Sequence, residues 1–307
     1  MTGIVHRRSS TATRSGLIAI GVGYQWLYNG LNFLAFKVGG EAFHPLVLAA
    51  LRFGIAAVLI LPMAAWRWRR RPASMRELAS AAILGPVMLI GSQTLAICGT
   101  HFLPAGVASV FGSAAPVFLA LFAWIFLRRA PSKPQTAGIA LGLIGLVVMG
   151  YTSSSGSGFQ PIGTAMMLVA SALWAAGSLA NPRLRLPADP IIGLAAQILP
   201  AGALLTFAVW IMGVGASLHP AAVPTEGLLA LAFLIFASTL VGYAVFLALN
   251  RNASSLLANS FNYVAPVIAL TLSSVLLHEP VGWREIFGAG VTLVGVALMV
   301  GSRSSTR

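Results

Sequence analysis

Ala105-Gly-Val-Ala-Ser-Val-Phe-Gly-Ser-Ala-Ala-Pro-Val117 returns 150 residues later as Ser255-Leu-Leu-Ala-Asn-Ser-Phe-Asn-Tyr-Val-Ala-Pro-Val267. The Phe, Ala, Pro and Val positions coincide, and the frame extends outward without a gap. Residues 105–149 match 255–299 at ten identical positions, among them Pro116/Pro266, Gly138/Gly288 and Gly145/Gly295. A shared apolar alphabet gives chance identities between any two membrane helices, but it does not align prolines and glycines in one frame. Upstream, Pro45-Leu-Val-Leu-Ala-Ala-Leu-Arg52 parallels Pro190-Ile-Ile-Gly-Leu-Ala-Ala-Gln197 at an offset of 145, which sets Arg52 opposite Gln197. The chain contains two copies of one unit.

Of 307 residues, 58% are apolar and 8% charged, and the mean hydropathy is +0.88. A surface in water carries roughly a quarter charged residues, whereas a surface in lipid must lack them. Apolar runs between charged or Pro/Gly/Ser-rich breaks predict ten transmembrane helices, at 16–36, 44–66, 78–99, 103–127, 135–151, 162–180, 190–212, 226–249, 254–277 and 284–302. The fold class is an all-α membrane protein of two five-helix repeats. The expected organisation is a tail 1–15, a first repeat 16–151, a linker 152–161 holding the Ser/Gly run 153–158, a second repeat 162–302 and a tail 303–307. The first apolar run is too long for a signal-peptide core and reads as a retained helix. The single cysteine, Cys98, excludes an internal disulfide.

A net charge of +13 would point a soluble protein toward nucleic acid. Here the basic residues are sorted by side instead. With the N-terminus in the cytoplasm, sixteen of the nineteen Lys and Arg fall on the cytoplasmic side, and only Lys37 and Arg284 outside, with Arg52 left within a helix. One missed or invented helix would scramble that alternation. A repeat of five helices is odd, so the second copy starts from the opposite face and the halves are inverted. Secondary transporters recurrently use this architecture, since two opposed halves give inward- and outward-open states of similar energy.

Several short motifs carry a resemblance: Asn29-Gly-Leu-Asn32-Phe33 in helix 1, Leu51-Arg52-Phe53 in helix 2, and the Ala/Pro pattern around Pro116 and Pro266. To these are added Ser171-Ala-Leu-Trp174 in helix 6 and His278-Glu279-Pro280 before the glycine-rich helix 10. Together they resemble the drug/metabolite transporter superfamily, in its ten-helix branch with two EamA-type repeats. Two positions depart from that pattern: Asn29 stands where such repeats usually have tryptophan, and Arg129 where an acidic residue is usual. The resemblance implies export or exchange of small metabolites, as in amino-acid exporters, including the aromatic amino-acid type.

Polar groups inside spans are costly unless they face a cavity or a neighbouring helix. Helix 1 places Gln25, Asn29 and Asn32 on one face with Tyr24 and Tyr28 beside it. Helix 9 places Asn259, Asn262 and Tyr263 on one face, matched in the repeat by Ser109, Gly112 and Ser113. The offset of 150 pairs Gln93 with Tyr243, and Trp174 either walls a cavity or packs in the core. Such groups also stitch helices together, at roughly 0.6 kcal/mol per hydrogen bond; as sets, the two amide-rich stripes point to a cavity between the halves. The candidate substrate-binding set is Gln25, Tyr28, Asn29, Asn32, Arg52, Gln93, Ser109, Trp174, Tyr243, Asn259, Asn262 and Tyr263, with Pro116 and Pro266 as paired hinges or static kinks.

Arg52 lies about 12 Å into helix 2, at 1.5 Å per residue, with no carboxylate at that depth. It either binds a substrate carboxylate or locks helices by donating to backbone carbonyls. All six acidic residues and all five histidines lie at or near helix ends or in loops. That leaves no embedded proton relay, no catalytic residues and no metal or cofactor site, and argues against an intramembrane enzyme. No P-loop is present to use ATP. The expected function is a secondary transporter of small metabolites, most readily amino acids, in a bacterial inner membrane; the alternatives are a multidrug or lipophilic-cation exporter of the same superfamily, a channel or a receptor. The expected partners are a small-molecule substrate and membrane lipid, with no nucleic acid, in a monomer or homodimer. Gly138-x-x-x-Gly142 serves close packing within the chain or a dimer face.

Overall fold

The computed structural model describes residues 3–128, 130–152, 160–217, 222–253, 260–279 and 281–301. Among them there is no strand, and ten helical rods follow one another. They are α1 (Gly3–Ala42), α2 (Pro45–Arg70), α3 (Met75–Phe102), α4 (Ala105–Leu127), α5 (Lys133–Thr152), α6 (Pro161–Ala180), α7 (Pro190–Ile211), α8 (Thr225–Phe233, Leu234–Gly242 and Tyr243–Asn252), α9 (Phe261–Leu276) and α10 (Trp283–Gly301). Six of these, α2, α3, α4, α6, α7 and α8, are long and apolar enough to cross a bilayer. The outward side chains are themselves apolar: Val58, Trp124, Phe126, Trp210 and Phe287 are all exposed. Such a surface suits hydrocarbon and not water. The protein is an integral membrane protein.

Two boundaries differ from the sequence-based expectation. Residues 3–15, read as a tail, continue α1. The span 103–127 is two helices, because Ser113 turns out of α-helical geometry before Ala115 restarts the rod. Proline explains the restart, since Pro116 has no N–H to lose in a first turn. Its counterpart Pro266 sits inside an unbroken helix, so the two expected hinges are not equivalent. The Ser/Gly linker 153–158 lies outside the described residues.

Short connections are possible because the helix starts are closed by their own side chains. Ser74 and Glu77 form a reciprocal capping box on α3, and Asp189 accepts from Ile191 N and Ile192 N at the start of α7. Glu279, in the motif after α9, accepts the N–H of Ala105 on both carboxylate oxygens at 3.0 and 2.9 Å. It thereby caps α4 from the other repeat. The repeat counterpart of Glu279, Arg129, lies outside the described residues.

The packing shows how the halves interlock. Repeat-equivalent helices pack on each other, α2 against α7 and α5 against α10. The first helix of each half crosses over: α6 packs on α3 and α4, and α1 runs along α8 and α9. At the α2/α7 contact the backbones nearly touch, since a Cβ on Gly202 would lie 2.9 Å from Phe53 O. Gly138 and Gly142 face α10, so the small-residue motif is used within the chain.

Asp189 also takes an ion pair from Arg67 Nη1 at 3.1 Å, tying α7 to the far end of α2. Burial pushes its carboxyl up, but the Ile191 N–H, the Arg67 guanidinium and the Ile192 N–H together hold it below the usual carboxylate range. A depressed pKa adds stability above the unfolded value of about 3.9 and loses it as pH falls further. Asp189→Ala is expected to destabilise by about 1–2 kcal/mol at neutral pH, from the lost cap and an exposed ion pair. Melting in detergent at pH 7 and pH 3 checks this, with the difference from the parent shrinking at the lower pH.

Candidate functional site

The candidate site lies where α2, α3, α7 and α8 meet, and two of these helices leave α-geometry there. α3 carries a π-helical stretch at Pro86–Thr94 and α8 one at Leu234–Gly242. Wide turns of this kind misalign backbone groups and are frequent at functional sites. In both, a threonine hydroxyl donates to the carbonyl five residues back: Thr94 to Leu89 O at 3.4 Å and Thr239 to Leu234 O at 2.7 Å. That Leu/Thr pair recurs at an offset of 145, the offset that sets Arg52 opposite Gln197.

Arg52 is buried between the two π stretches, 3% exposed. Its Nε donates to Thr239 Oγ1 at 2.7 Å, Nη2 to Ser238 Oγ at 2.9 Å and Nη1 to Gln93 Oε1 at 3.3 Å. At the offset of 145, Gln93 and Ser238 are repeat equivalents, so the guanidinium is held by the same position of both halves. Its Cζ lies 4.8 Å from the Phe53 ring centroid and 5.4 Å from that of Phe36. A guanidinium has five N–H donors, and three are engaged among the described residues. The partners are neutral side chains.

Beside it stands an aromatic wall. The Tyr243 hydroxyl donates to Gln197 Oε1 at 2.7 Å and lies 3.7 Å from Met88 Sδ. Tyr243 and Phe246 stack with centroids 6.0 Å apart, and Trp174 meets them at 6.4 and 5.5 Å. α1 closes the site by bonding the π stretch of α8: Tyr24 Oη donates to Ala237 O at 2.7 Å and Gln25 Nε2 to Gly242 O at 2.9 Å. The Tyr28 ring covers Gly242, where an added Cβ would come within 2.8 Å of it. Asn32 is buried with Oδ1 unpartnered among the described residues. It lies one turn from Phe36, whose ring Arg52 faces.

The chain's likeness to known proteins fits this architecture. The profile of the EamA-like transporter family matches residues 16–151 and again 161–301. The chain belongs to the EamA-like transporter family. Among similar EamA-like proteins is the "Uncharacterized inner membrane transporter YedA" of Escherichia coli K12, 30% identical over 271 residues, which cover 88% of this chain and 86% of that protein. The "Probable amino-acid metabolite efflux pump" of Salmonella typhimurium LT2 is 29% identical over 298 residues, covering 94% of this chain and 95% of the relative. A solved crystal structure at 20% identity superposes with a TM-score of 0.62 over 95% of this chain and 99% of its own, so the fold is shared. This EamA-like chain is a membrane transporter.

Of the residues singled out in the sequence, this EamA-like fold gathers Gln25, Tyr28, Arg52, Gln93, Trp174 and Tyr243 around the π stretches. Gln25 and Asn29 are bonded to each other: Asn29 Nδ2 donates to Gln25 O at 2.8 Å and to Gln25 Oε1 at 3.2 Å. Ser109 is fully buried, and its hydroxyl turns back to Gly106 O within α4. Tyr263 packs, partly buried, on the Val117, Ala120 and Ile139 cluster. Asn262 is buried on α9, and Asn259 lies outside the described residues. The pairing of Gln93 with Tyr243 gives way to Gln93 with Ser238, because the register in α3 and α8 is 145 and not 150. Among the described residues, the Arg52 guanidinium donates to side chains and not to backbone carbonyls. Sequence reasoning missed Ser238, Thr239, Phe36 and Phe246; the recurring Leu-x-x-x-x-Thr, aligned at 145, was the available signal for the first two.

Proposed function

We propose that this EamA-like transporter exports or exchanges small zwitterionic metabolites, amino acids foremost, by rocking its two inverted halves around Arg52. The observation that carries this reading is the buried guanidinium with two N–H donors unengaged among the described residues, bordered by the aromatic wall. A carboxylate takes two parallel N–H bonds from such a fork. Trp174, Tyr243 and Phe246 offer an apolar face to a side chain, and Asn32 Oδ1 an acceptor for an ammonium. The relative named as an amino-acid metabolite efflux pump supports the substrate class. A lipophilic cation fits less well, since the embedded charge is itself positive.

The transporter works without cofactor or catalytic residue, in a bacterial inner membrane with both termini in the cytoplasm. The sorting of basic residues and the inner-membrane relative support that placement. The domain boundaries proposed are repeats 16–151 and 162–302 joined by 152–161. With every carboxylate near a helix end or in a loop, transport is passive or exchange-driven. In proteoliposomes, saturable counterflow of labelled amino acids is expected, and an imposed pH gradient alone is expected to drive no accumulation. Concentrative uptake under that gradient overturns the passive mechanism; absence of counterflow for any amino acid overturns the substrate class.

A further inference from the structure

α2 is 26 residues long, about 39 Å at 1.5 Å per residue, so it outruns a hydrocarbon core of about 30 Å. Its last turns, Trp66 to Arg70, therefore stand at the level of the lipid headgroups. There a cavity of about 420 Å³ opens, lined by Trp66, Arg67, Arg70, Arg71 and Asp189. Arg67 is engaged by Asp189, and Arg70 lies 4.0 Å over the Trp66 ring. Among the described residues, neither Arg70 nor Arg71 meets a carboxylate. Three guanidinium groups against one carboxylate leave two positive charges unneutralised. None of this touches the Arg52 site, which lies some four turns away along the same helix.

We propose that this cavity binds the phosphodiester headgroup of an anionic phospholipid, with a lipid bearing two phosphates the best charge match. The argument for a lipid over a soluble anion is the surface beneath the cavity. Ile55, Leu59, Met63 and Trp66 follow at spacings of four, four and three and are all exposed, forming one stripe on α2. That stripe ends at the Arg67/Arg70 level, so an acyl chain lying on it delivers its phosphate to the guanidinium groups. Interfacial tryptophan and basic residues at the end of a membrane helix are the chemistry that holds such headgroups. Bound there, the lipid grips the end of α2 beside its ion pair with α7.

The test uses the purified full-length protein in zwitterionic detergent, titrated separately with cardiolipin, phosphatidylglycerol, phosphatidylcholine and inorganic phosphate. Retention is read by native mass spectrometry and stability by the melting midpoint. Cardiolipin is expected to be retained and to raise the midpoint, phosphatidylglycerol to do so less, and phosphatidylcholine and inorganic phosphate not at all. The double variant Arg70→Gln/Arg71→Gln is expected to weaken cardiolipin binding about 30-fold and to keep transport in zwitterionic liposomes. Arg69→Gln removes a charge of the same helix end that does not line the cavity, and is expected to leave retention unchanged. Equal loss in Arg69→Gln, equal retention of phosphatidylcholine, or an equal shift with inorganic phosphate overturns the proposal. Should the double variant fail to fold, Arg71→Gln alone against Arg69→Gln gives the same comparison.

Discussion

Arg52→Ala is expected to lower the apparent affinity for a carboxylate-bearing substrate at least about 100-fold while the protein still inserts and purifies. Two charge-assisted hydrogen bonds are at stake, each contributing about 1.5–3 kcal/mol, and about 2.7 kcal/mol is already 100-fold. The structural loss falls on three neutral acceptors. Thr239 keeps its bond to Leu234 O, while Thr239, Ser238 and Gln93 each lose the guanidinium as a donor. Arg52→Lys separates charge from geometry: it retains a cation but not the planar fork, so affinity falls by about tenfold or more and is not restored. The decisive readout is competition in proteoliposomes between an amino acid and its decarboxylated amine. The parent distinguishes them through Arg52, and the alanine variant is expected not to. Unchanged affinity in Arg52→Ala, with only a reduced folding yield, would leave Arg52 a helix lock and remove it from the binding site.

What the sequence disclosed and what it hid divide along one physical line. Helix number and repeat were legible because lipid imposes them: apolar runs of spanning length are needed one by one, and Pro and Gly keep their frame across the two copies. Arg52 was legible because an embedded cation stands out in a chain with 8% charged residues. Of its partners Gln93 was singled out but Ser238 and Thr239 were not, because they are ordinary membrane-helix residues until two π stretches turn all three to one point. In α8, Tyr24 and Gln25 of α1 bond Ala237 O and Gly242 O of the π stretch from across the bundle. The local trace of the π stretches is the Leu-x-x-x-x-Thr spacing; the bonds from α1 leave none. The crossing of α1 and α6 into opposite halves is hidden for the same reason. Asn29 shows the limit of stripe reading: it lies on the predicted polar face, yet its amide is spent within its own helix.

Gly295→Ala is expected to unfold a large part of the protein, although it adds one methyl group. Its Cβ would come 2.6 Å from Gly138 O and 3.0 Å from Gly142 Cα, backbone atoms of α5 that no rotamer change can move away. From the other side, a Cβ on Gly145 would lie 2.6 Å from Thr292 N and 2.7 Å from Gly288 O of α10. Overpacking of this kind costs about 1–3 kcal/mol or more, and it outweighs the roughly 0.5–1 kcal/mol that alanine gains over glycine inside a helix. Gly290→Ala supplies the control, since nothing lies within 4 Å of its added Cβ; it is expected to melt at or slightly above the parent. The double variant Gly145→Ala/Gly295→Ala is expected to lose less than the two singles added, because once one methyl has parted α5 from α10 the second meets space already opened. The α5/α10 seam involves none of the Arg52 partners, so the fraction that folds should bind substrate with the parent's affinity. A Gly295→Ala protein that melts like Gly290→Ala would mean that α5 and α10 do not meet backbone to backbone at Gly295.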